Sequence, residues 1–125
     1  MFKNILLVGF GGAIGSIARY LSQKTIYEWH PHPFPFGTFL VNVFGCFLIG
    51  AFYGLSERGN ILTPDWRLLL TTGFCGGFTT FSAFAYENVN LLKAGDFLYF
   101  GLYTAGSVVL GILCTFGGMA LLKWL

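Results

Sequence analysis

The fold of this protein is decided by residues 73–84, which read GFCGGFTTFSAF. This stretch lies within an uncharged run from residue 68 to residue 86. An apolar run of about 20 residues can cross a bilayer as a helix. Paired glycines and paired threonines are poor helix formers, because glycine is flexible and threonine hydroxyls compete for backbone hydrogen bonds. The pattern therefore predicts a transmembrane helix that is broken in mid-span.

The composition of the whole chain also indicates an integral membrane protein. Of its 125 residues, 55% are hydrophobic and only 10% are charged, and the mean hydropathy is +0.71. Seven basic and five acidic residues are too few to cover the surface of a small soluble domain. These values argue against a disordered chain, a nucleic-acid-binding protein and an ordinary soluble enzyme.

Four uncharged stretches predict an all-α protein with a single transmembrane domain over residues 1–125. The predicted helices cover residues 2–24, 36–56, 66–93 and 97–124. Three alternating prolines in HPHPFP, residues 30–35, fix an extended backbone, so this segment is predicted to be the loop after the first helix. Its histidines, His30 and His32, could bind a metal, but nothing nearby in the sequence completes a site. A surface loop is the favoured interpretation.

The positive charges are nearly balanced between the two sides of the membrane. Four spans put both termini on one side, and that side would hold four basic residues against two or three on the other. Such a weak bias fits insertion in both orientations, and it also fits one fixed orientation. Four helices enclose little space for a pathway, so we expect an oligomer, and an antiparallel dimer would use both orientations. The residues counted are Lys3, Arg58, Arg67 and Lys123 on one side, and Lys24, Lys93 and the borderline Arg19 on the other.

Polar side chains inside the predicted spans are the candidates for function, because buried polarity is costly in a membrane. Asn42 lies among apolar residues of the second helix, where its amide could bond to a neighbouring helix or donate to a permeating anion. Arg19 could extend to the lipid headgroups or make the entrance for an anion more positive. No carboxylate lies near the middle of a span, and Glu87 is the closest. This argues against a proton-coupled cation exporter.

Aromatic rings of the third span and hydroxyls of the fourth could line a path for an anion. Phe81 and Phe84 are neighbours on a helix surface, and the edge of an aromatic ring is positive. Ring edges could therefore hold a small anion without a full charge. The rings could equally contact lipid, and the hydroxyls could bond to their own helix. The residues of the fourth helix that share one face at i, i+4 spacing are Tyr103, Ser107, Gly111 and Thr115.

These motifs resemble those of the Fluc (CrcB) family of fluoride channels over essentially the whole chain. The first is GGAIG at residues 11–15, followed by Arg19-Tyr20. The second is GTFLVNVFG at residues 37–45, and the third is GGFTTFSAF at residues 76–84. The chain departs from the family pattern at Ala83, where threonine is usual, and at Gly111, where some members have serine. At these two positions this chain has no hydroxyl.

The resemblance implies a fluoride-selective channel in the cell (plasma or inner) membrane, which lets fluoride leave passively and so reduces its toxicity. It implies an antiparallel homodimer with dual topology and two pores along the interface, with fluoride, lipid and a second copy as partners and no nucleic acid. No enzymatic activity is implied. The implied site residues are Asn42, Phe81, Phe84, Thr38, Tyr103 and Ser107 at the fluoride pore, Arg19 at an aqueous vestibule, and the backbone carbonyls of Gly76 and Thr79 as ligands of a central structural Na⁺ that both subunits share.

Two other functions stay open from the residues. One is a membrane scaffold that transports nothing and uses its asparagine and glycines only for assembly. The other is a transporter of another small anion. In either case, glycine pairs at i, i+4 spacing are interpreted as helix-packing positions, namely Gly11–Gly15, Gly50–Gly54 and Gly73–Gly77.

Overall fold

The structure of the protein, a computed structural model, describes residues 1–59 and 61–124. Every regular element in this described part is helical. Four helical segments are long and apolar enough to cross a membrane, and these are Phe2–Trp29, Phe36–Ser56, Pro64–Lys93 and Phe97–Trp124. The predictions of an all-α protein and of four spans are confirmed. Asn60, and Leu125 at the end of the predicted domain, lie outside the described residues.

The first, second and fourth spans are continuous α-helices, and the third consists of several shorter elements. The elements in chain order are α1 (Phe2–Trp29), α2 (Phe36–Ser56), α3 (Pro64–Leu68), a π-helical segment (Leu69–Cys75), α4 (Gly76–Phe78), α5 (Phe81–Lys93) and α6 (Phe97–Trp124). The first helix continues to Trp29 instead of ending at residue 24, because no helix breaker occurs before His30 and Pro31.

Local residue chemistry explains where the third span begins. The N–H of Trp66 donates to Thr63 Oγ1 at 3.3 Å, and Pro64 occupies the first turn, where its missing N–H is tolerated. Helical structure therefore starts at Pro64, two residues before the predicted start. Sequence reasoning did not anticipate the π-helical segment that follows. Such segments are rare and are frequent at functional sites.

Two residues, Thr79 and Thr80, separate α4 from α5. Their φ and ψ angles are −95° and 159° for Thr79, and −149° and 118° for Thr80, so both have extended backbones. Thr80 is also the N-cap of α5, because its Oγ1 accepts from the Ala83 N–H at 3.2 Å. The glycine–threonine segment singled out from the sequence thus contains two extended residues between helices.

Glycine backbones bring the helices into close contact. Helix α2 packs along α6, and α1 packs against the π-helical segment and α4. A Cβ atom added to Gly11 would lie 2.5 Å from the Leu69 carbonyl oxygen, and one added to Gly54 would lie 2.6 Å from that of Met119. A Cβ on Gly50 would overlap with the carbonyl oxygen of Thr115. The helices therefore meet backbone to backbone, as the spaced glycine pairs predicted.

Candidate functional site

The side chain of Asn42 holds the extended backbone between α4 and α5. Its Nδ2 donates to the Thr80 carbonyl oxygen at 3.1 Å, and the Thr80 N–H donates to its Oδ1 at 2.8 Å. One amide thus satisfies both backbone groups of an extended residue, which would be costly to leave unpaired inside a membrane. One of the two N–H bonds on Nδ2 is not needed for this contact.

These contacts release two backbone carbonyls from helical pairing. In a continuous α-helix, the Thr80 N–H would donate to the carbonyl of Gly76, and the Ala83 N–H to that of Thr79. Here the first N–H donates to Asn42 and the second to the hydroxyl of Thr80. Gly76 is exposed, and a Cβ added there would meet one atom within 4 Å, the Thr71 carbonyl oxygen at 3.9 Å. Free carbonyl oxygens are suitable ligands for a hard cation.

A groove of about 360 Å³ runs beside this interruption and collects many of the residues selected from the sequence. Its described lining contains no charged side chain. The lining is mostly apolar, and the polar groups that it contains are uncharged. The selected residues that line it are Asn42, Phe81, Phe84, Ser107, Gly76 and Thr79.

The two phenylalanine rings border the groove as a tilted pair. Their centroids are 5.8 Å apart at an interplanar angle of 44°, and Phe84 is 4.9 Å from the ring of Tyr103 at 56°. Phe81 is 79% exposed, whereas Phe84 is half-buried. An aromatic ring this exposed beside a groove is a candidate for contact with an ion, with lipid or with a second chain.

The hydroxyl of Ser107 is buried beside the groove without a hydrogen-bond partner. Among the described residues, Ser56 is the other residue with a buried, unpartnered side-chain oxygen. Ser107 also borders a second groove of about 460 Å³, together with Gly111 and Thr115. The hydroxyl of Thr115 donates to the Gly111 carbonyl oxygen at 2.9 Å. Of these two hydroxyls, that of Thr115 binds its own helix and that of Ser107 is free to donate.

The Glu87 carboxylate accepts hydrogen bonds from hydroxyl groups on two other helices, α2 and α6. Thr38 Oγ1 donates to Glu87 Oε2 at 2.8 Å, and the hydroxyl of Tyr103 donates to Glu87 Oε1 at 2.7 Å. Gln23 Nε2 in turn donates to Thr38 Oγ1 at 3.0 Å. Thr38 and Tyr103 are buried. Helices α1, α2, α5 and α6 thus each contribute one side chain to this cluster.

Comparison with known proteins identifies the family. Residues 6–119 match the family model described as "CrcB-like protein, Camphor Resistance (CrcB)". The chain belongs to the CrcB family. The resemblance seen in the motifs is therefore confirmed, and with four helices able to cross a membrane this is a multi-pass membrane protein.

Relatives within the CrcB family align with nearly the whole chain. A protein of Chlorobaculum tepidum is 50% identical over 123 residues, which cover 98% of this chain and 97% of the relative. One of Leptospira interrogans is 47% identical over 121 residues, covering 97% and 95%. One of Phocaeicola vulgatus is 53% identical over 111 residues, covering 89% and 91%. Each of these three relatives is named "Fluoride-specific ion channel FluC".

Arg19, from the first CrcB-family motif, lies beside the interruption. Its Nε donates to the Gly77 carbonyl oxygen at 3.0 Å, so a positive charge supports the end of α4. A separate cavity of about 430 Å³, near the loop between α1 and α2, is lined by Lys24 and reaches Thr38 and Glu87.

Sequence reasoning missed Gln23 and did not assign Glu87 to the site. An ionisable residue inside a span is a functional candidate by default, and that signal was available for Glu87. No comparable signal marks Gln23, which lies near the end of a helix.

Proposed function

We propose that this CrcB-family chain forms a fluoride-selective ion channel that lets fluoride leave the cytoplasm passively. The observation that carries the proposal is the set of relatives, about half identical over nearly their whole length, that are named as fluoride-specific ion channels. Hydrogen fluoride crosses membranes as a neutral acid and ionises inside the cell, which traps the anion. A passive pore lowers the internal fluoride concentration without an enzymatic step, because a negative interior drives anions out.

The groove supports this proposal through its donors. The free hydroxyl of Ser107 and the second N–H bond of the Asn42 amide can each donate to an anion. The edges of Phe81 and Phe84 add positive potential without a fixed charge. A small anion that loses water in such a groove finds several weak partners, so it can bind and leave again.

The carboxylate cluster continues the proposed pathway. Thr38 and Tyr103 direct their hydroxyl protons to Glu87, and the ring of Tyr103 touches that of Phe84. An arriving fluoride competes with the carboxylate for these two donors. In this proposal Thr38, Tyr103 and Ser107 form a track of hydroxyl groups, the polar track. Glu87 keeps the hydroxyls of Thr38 and Tyr103 oriented when no ion is present.

An antiparallel homodimer with dual topology would complete the groove. One chain leaves Phe81 largely exposed and Gly76 open, so a second copy can cover both. Two salt bridges agree with a position of both termini on the same side of the membrane. Lys3 binds Asp65 at 3.0 Å, and Lys123 lies 3.8 Å from Glu57. These contacts bring residues near the start of α1 and the end of α6 to the end of α2 and the start of α3.

We also propose that the interruption is a functional break of the third transmembrane helix. The released carbonyls of Gly76 and Thr79 are the oxygens that would hold a structural Na⁺, and a second copy would supply the same two groups. The ion would stabilise the dimer by satisfying carbonyls that a membrane cannot hydrate. Arg19 would support the neighbouring end of α4 and contribute positive potential to the aqueous vestibule. The proposed location is the cell inner membrane.

Ion release from liposomes tests this function. Purified protein in liposomes should release fluoride and hardly any chloride. A scaffold would release neither ion, and a chloride transporter would release chloride instead of fluoride, so the assay separates these two functions from a fluoride channel.

A further inference from the structure

Two histidines of the loop between α1 and α2 are stacked against each other. The rings of His30 and His32 are parallel within 5°, with centroids 5.7 Å apart. Both pack against Phe36 at the start of α2, at 5.4 Å and 5.3 Å, and His32 also lies 5.7 Å from the ring of Tyr99 on α6. The loop is thus attached to two helices through its imidazole rings.

The conformation of this loop requires a neutral His32. The Phe34 N–H donates to His32 Nδ1 at 3.0 Å, and a ring nitrogen that accepts a hydrogen bond carries no proton. The proton of the neutral ring is therefore on Nε2. Protonation at Nδ1 would set two donors against each other. If His30 were charged as well, the two stacked rings would also repel, so acid loosens the loop.

Both histidines line the cavity of about 430 Å³ that reaches Thr38 and Glu87. The loop therefore lies at the end of the proposed pathway, next to the carboxylate cluster. Helix α2 contributes no titratable side chain to the lining of this cavity. The titratable and charged groups near the histidines are Lys24, Tyr20 and Tyr27 of α1, Glu87 of α5, Tyr99 of α6, and Glu28, which lies 3.9 Å from Lys24.

The charge of this cavity depends on protonation of the loop. With neutral histidines, the positive charge of Lys24 is offset by Glu28, and Glu87 is the remaining charged group of the lining. Histidine is the side chain whose charge ordinarily changes between about pH 5 and 8. Protonation of His30 and His32 adds two positive charges, so the net charge of the groups around the cavity changes from negative to positive.

We propose that this cavity is a proton-dependent collecting site for fluoride. At acidic pH the charged histidines attract a small inorganic anion to the entrance and release the contacts that fix the loop. At neutral pH the loop is fixed and the attraction is lost. The inference rests on the proposed function, because the collected anion is the one that the channel passes.

An NMR measurement tests the protonation of the histidine pair and does not depend on ion transport. The chain has two histidines, so labelling histidine and phenylalanine with ¹⁵N makes both imidazole side chains and the Phe34 amide observable in detergent or nanodiscs. We expect His32 to show the Nε2–H tautomer at about pH 7.5, and its titration to move the Phe34 amide signal. A proton on Nδ1 of His32 at about pH 7.5, or an unmoved Phe34 amide, would overturn the proposed link.

Fluoride release from liposomes at about pH 7.5 and about pH 5.5 on both sides tests the collecting site. A unit charge about 10 Å from an ion in water changes the local ion concentration about twofold, so two histidines should raise the release rate about fourfold at low salt. His32→Asn keeps an acceptor for an N–H two residues on but does not titrate, and His30→Phe keeps the stacking without charge. Hydrogen fluoride crosses the bilayer itself faster in acid, so the rate from protein-free liposomes at the same pH is subtracted first. Each single variant should then show about half of the parent's ratio between the two pH values, and the double variant should show a ratio near one.

The double variant decides the outcome. If it responds to acid as the parent does, or if the parent shows no response, the collecting site is refuted. If the parent releases no fluoride at either pH, the proposed function fails, and the NMR titration still shows whether the loop responds to protons.

Discussion

Replacing Asn42 by alanine tests whether its amide holds the interruption of the third span. The side chain makes two hydrogen bonds with the backbone of Thr80, at 3.1 Å and 2.8 Å. Side-chain hydrogen bonds in helical membrane proteins contribute about 0.6 kcal/mol on average and up to about 1.7 kcal/mol each. We therefore expect Asn42→Ala to lower the free energy of unfolding by about 1 to 3 kcal/mol. Fluoride release should fall as well, because the groove loses a donor and the backbone of Thr80 is no longer fixed.

Asn42→Asp separates the hydrogen bonds from the charge of the groove. An aspartate can still accept from the Thr80 N–H, but it cannot donate to the carbonyl, and it adds a negative charge. We expect it to reduce fluoride release more than alanine does. Asn90→Ala removes the same amide from an exposed position of α5 and is the matched control. The measurements are thermal denaturation followed by size-exclusion chromatography, and fluoride efflux per assembled protein. If Asn42→Ala melts and conducts like Asn90→Ala, the reasoning is refuted.

Three further predictions test the rings, the packing and the topology. Phe81→Ile and Phe84→Ile keep apolar bulk at a cost below about 1.5 kcal/mol, so the protein should still assemble, yet fluoride efflux should collapse for at least one of them. Phe74→Ile should reduce fluoride efflux less. If Phe81→Ile and Phe84→Ile both conduct as the parent does, the rings serve only in packing. Gly50→Ala places a Cβ atom against the Thr115 carbonyl and should destabilise the protein by about 1 to 3 kcal/mol in thermal denaturation. Gly101→Ala, with no atom within 4 Å, is its control, and equal melting would contradict the close packing. Two lysines added at the termini should lock most chains in one orientation and lower fluoride efflux, and co-expression of an oppositely biased copy should restore it. Full activity from the biased chain alone would contradict an antiparallel dimer.

The architecture was predictable because it follows from composition. Gaps between charges mark apolar runs long enough to cross a bilayer, and all four spans lie where the gaps predict them. Helix α1 extends past its predicted end at residue 24, because nothing breaks the helix before the prolines that follow Trp29. The π-helical segment has no pattern in the sequence that we recognise.

The residues of the candidate site could be selected by type from the sequence, but their contacts could not. A buried amide, phenylalanines and hydroxyls stand out in apolar spans because polar groups there are costly. The contact between Asn42 and Thr80 joins residues 38 positions apart, so it depends on how α2 packs against the third span. The cluster around Glu87 needs partners from three other helices, which the sequence does not bring together. Glu87 also lies towards the end of a span, where a carboxylate is a weaker sign of function than in the middle.

The most direct test of the central claim is the initial rate of fluoride release from liposomes that contain only the purified protein, compared with the rate for chloride under the same gradient. A fluoride electrode and a chloride electrode, with valinomycin present to carry compensating K⁺, report the two rates. A fluoride-selective channel should empty the liposomes of fluoride and hold back chloride. Equal rates for the two ions, or fluoride release no faster than from protein-free liposomes, would contradict the account.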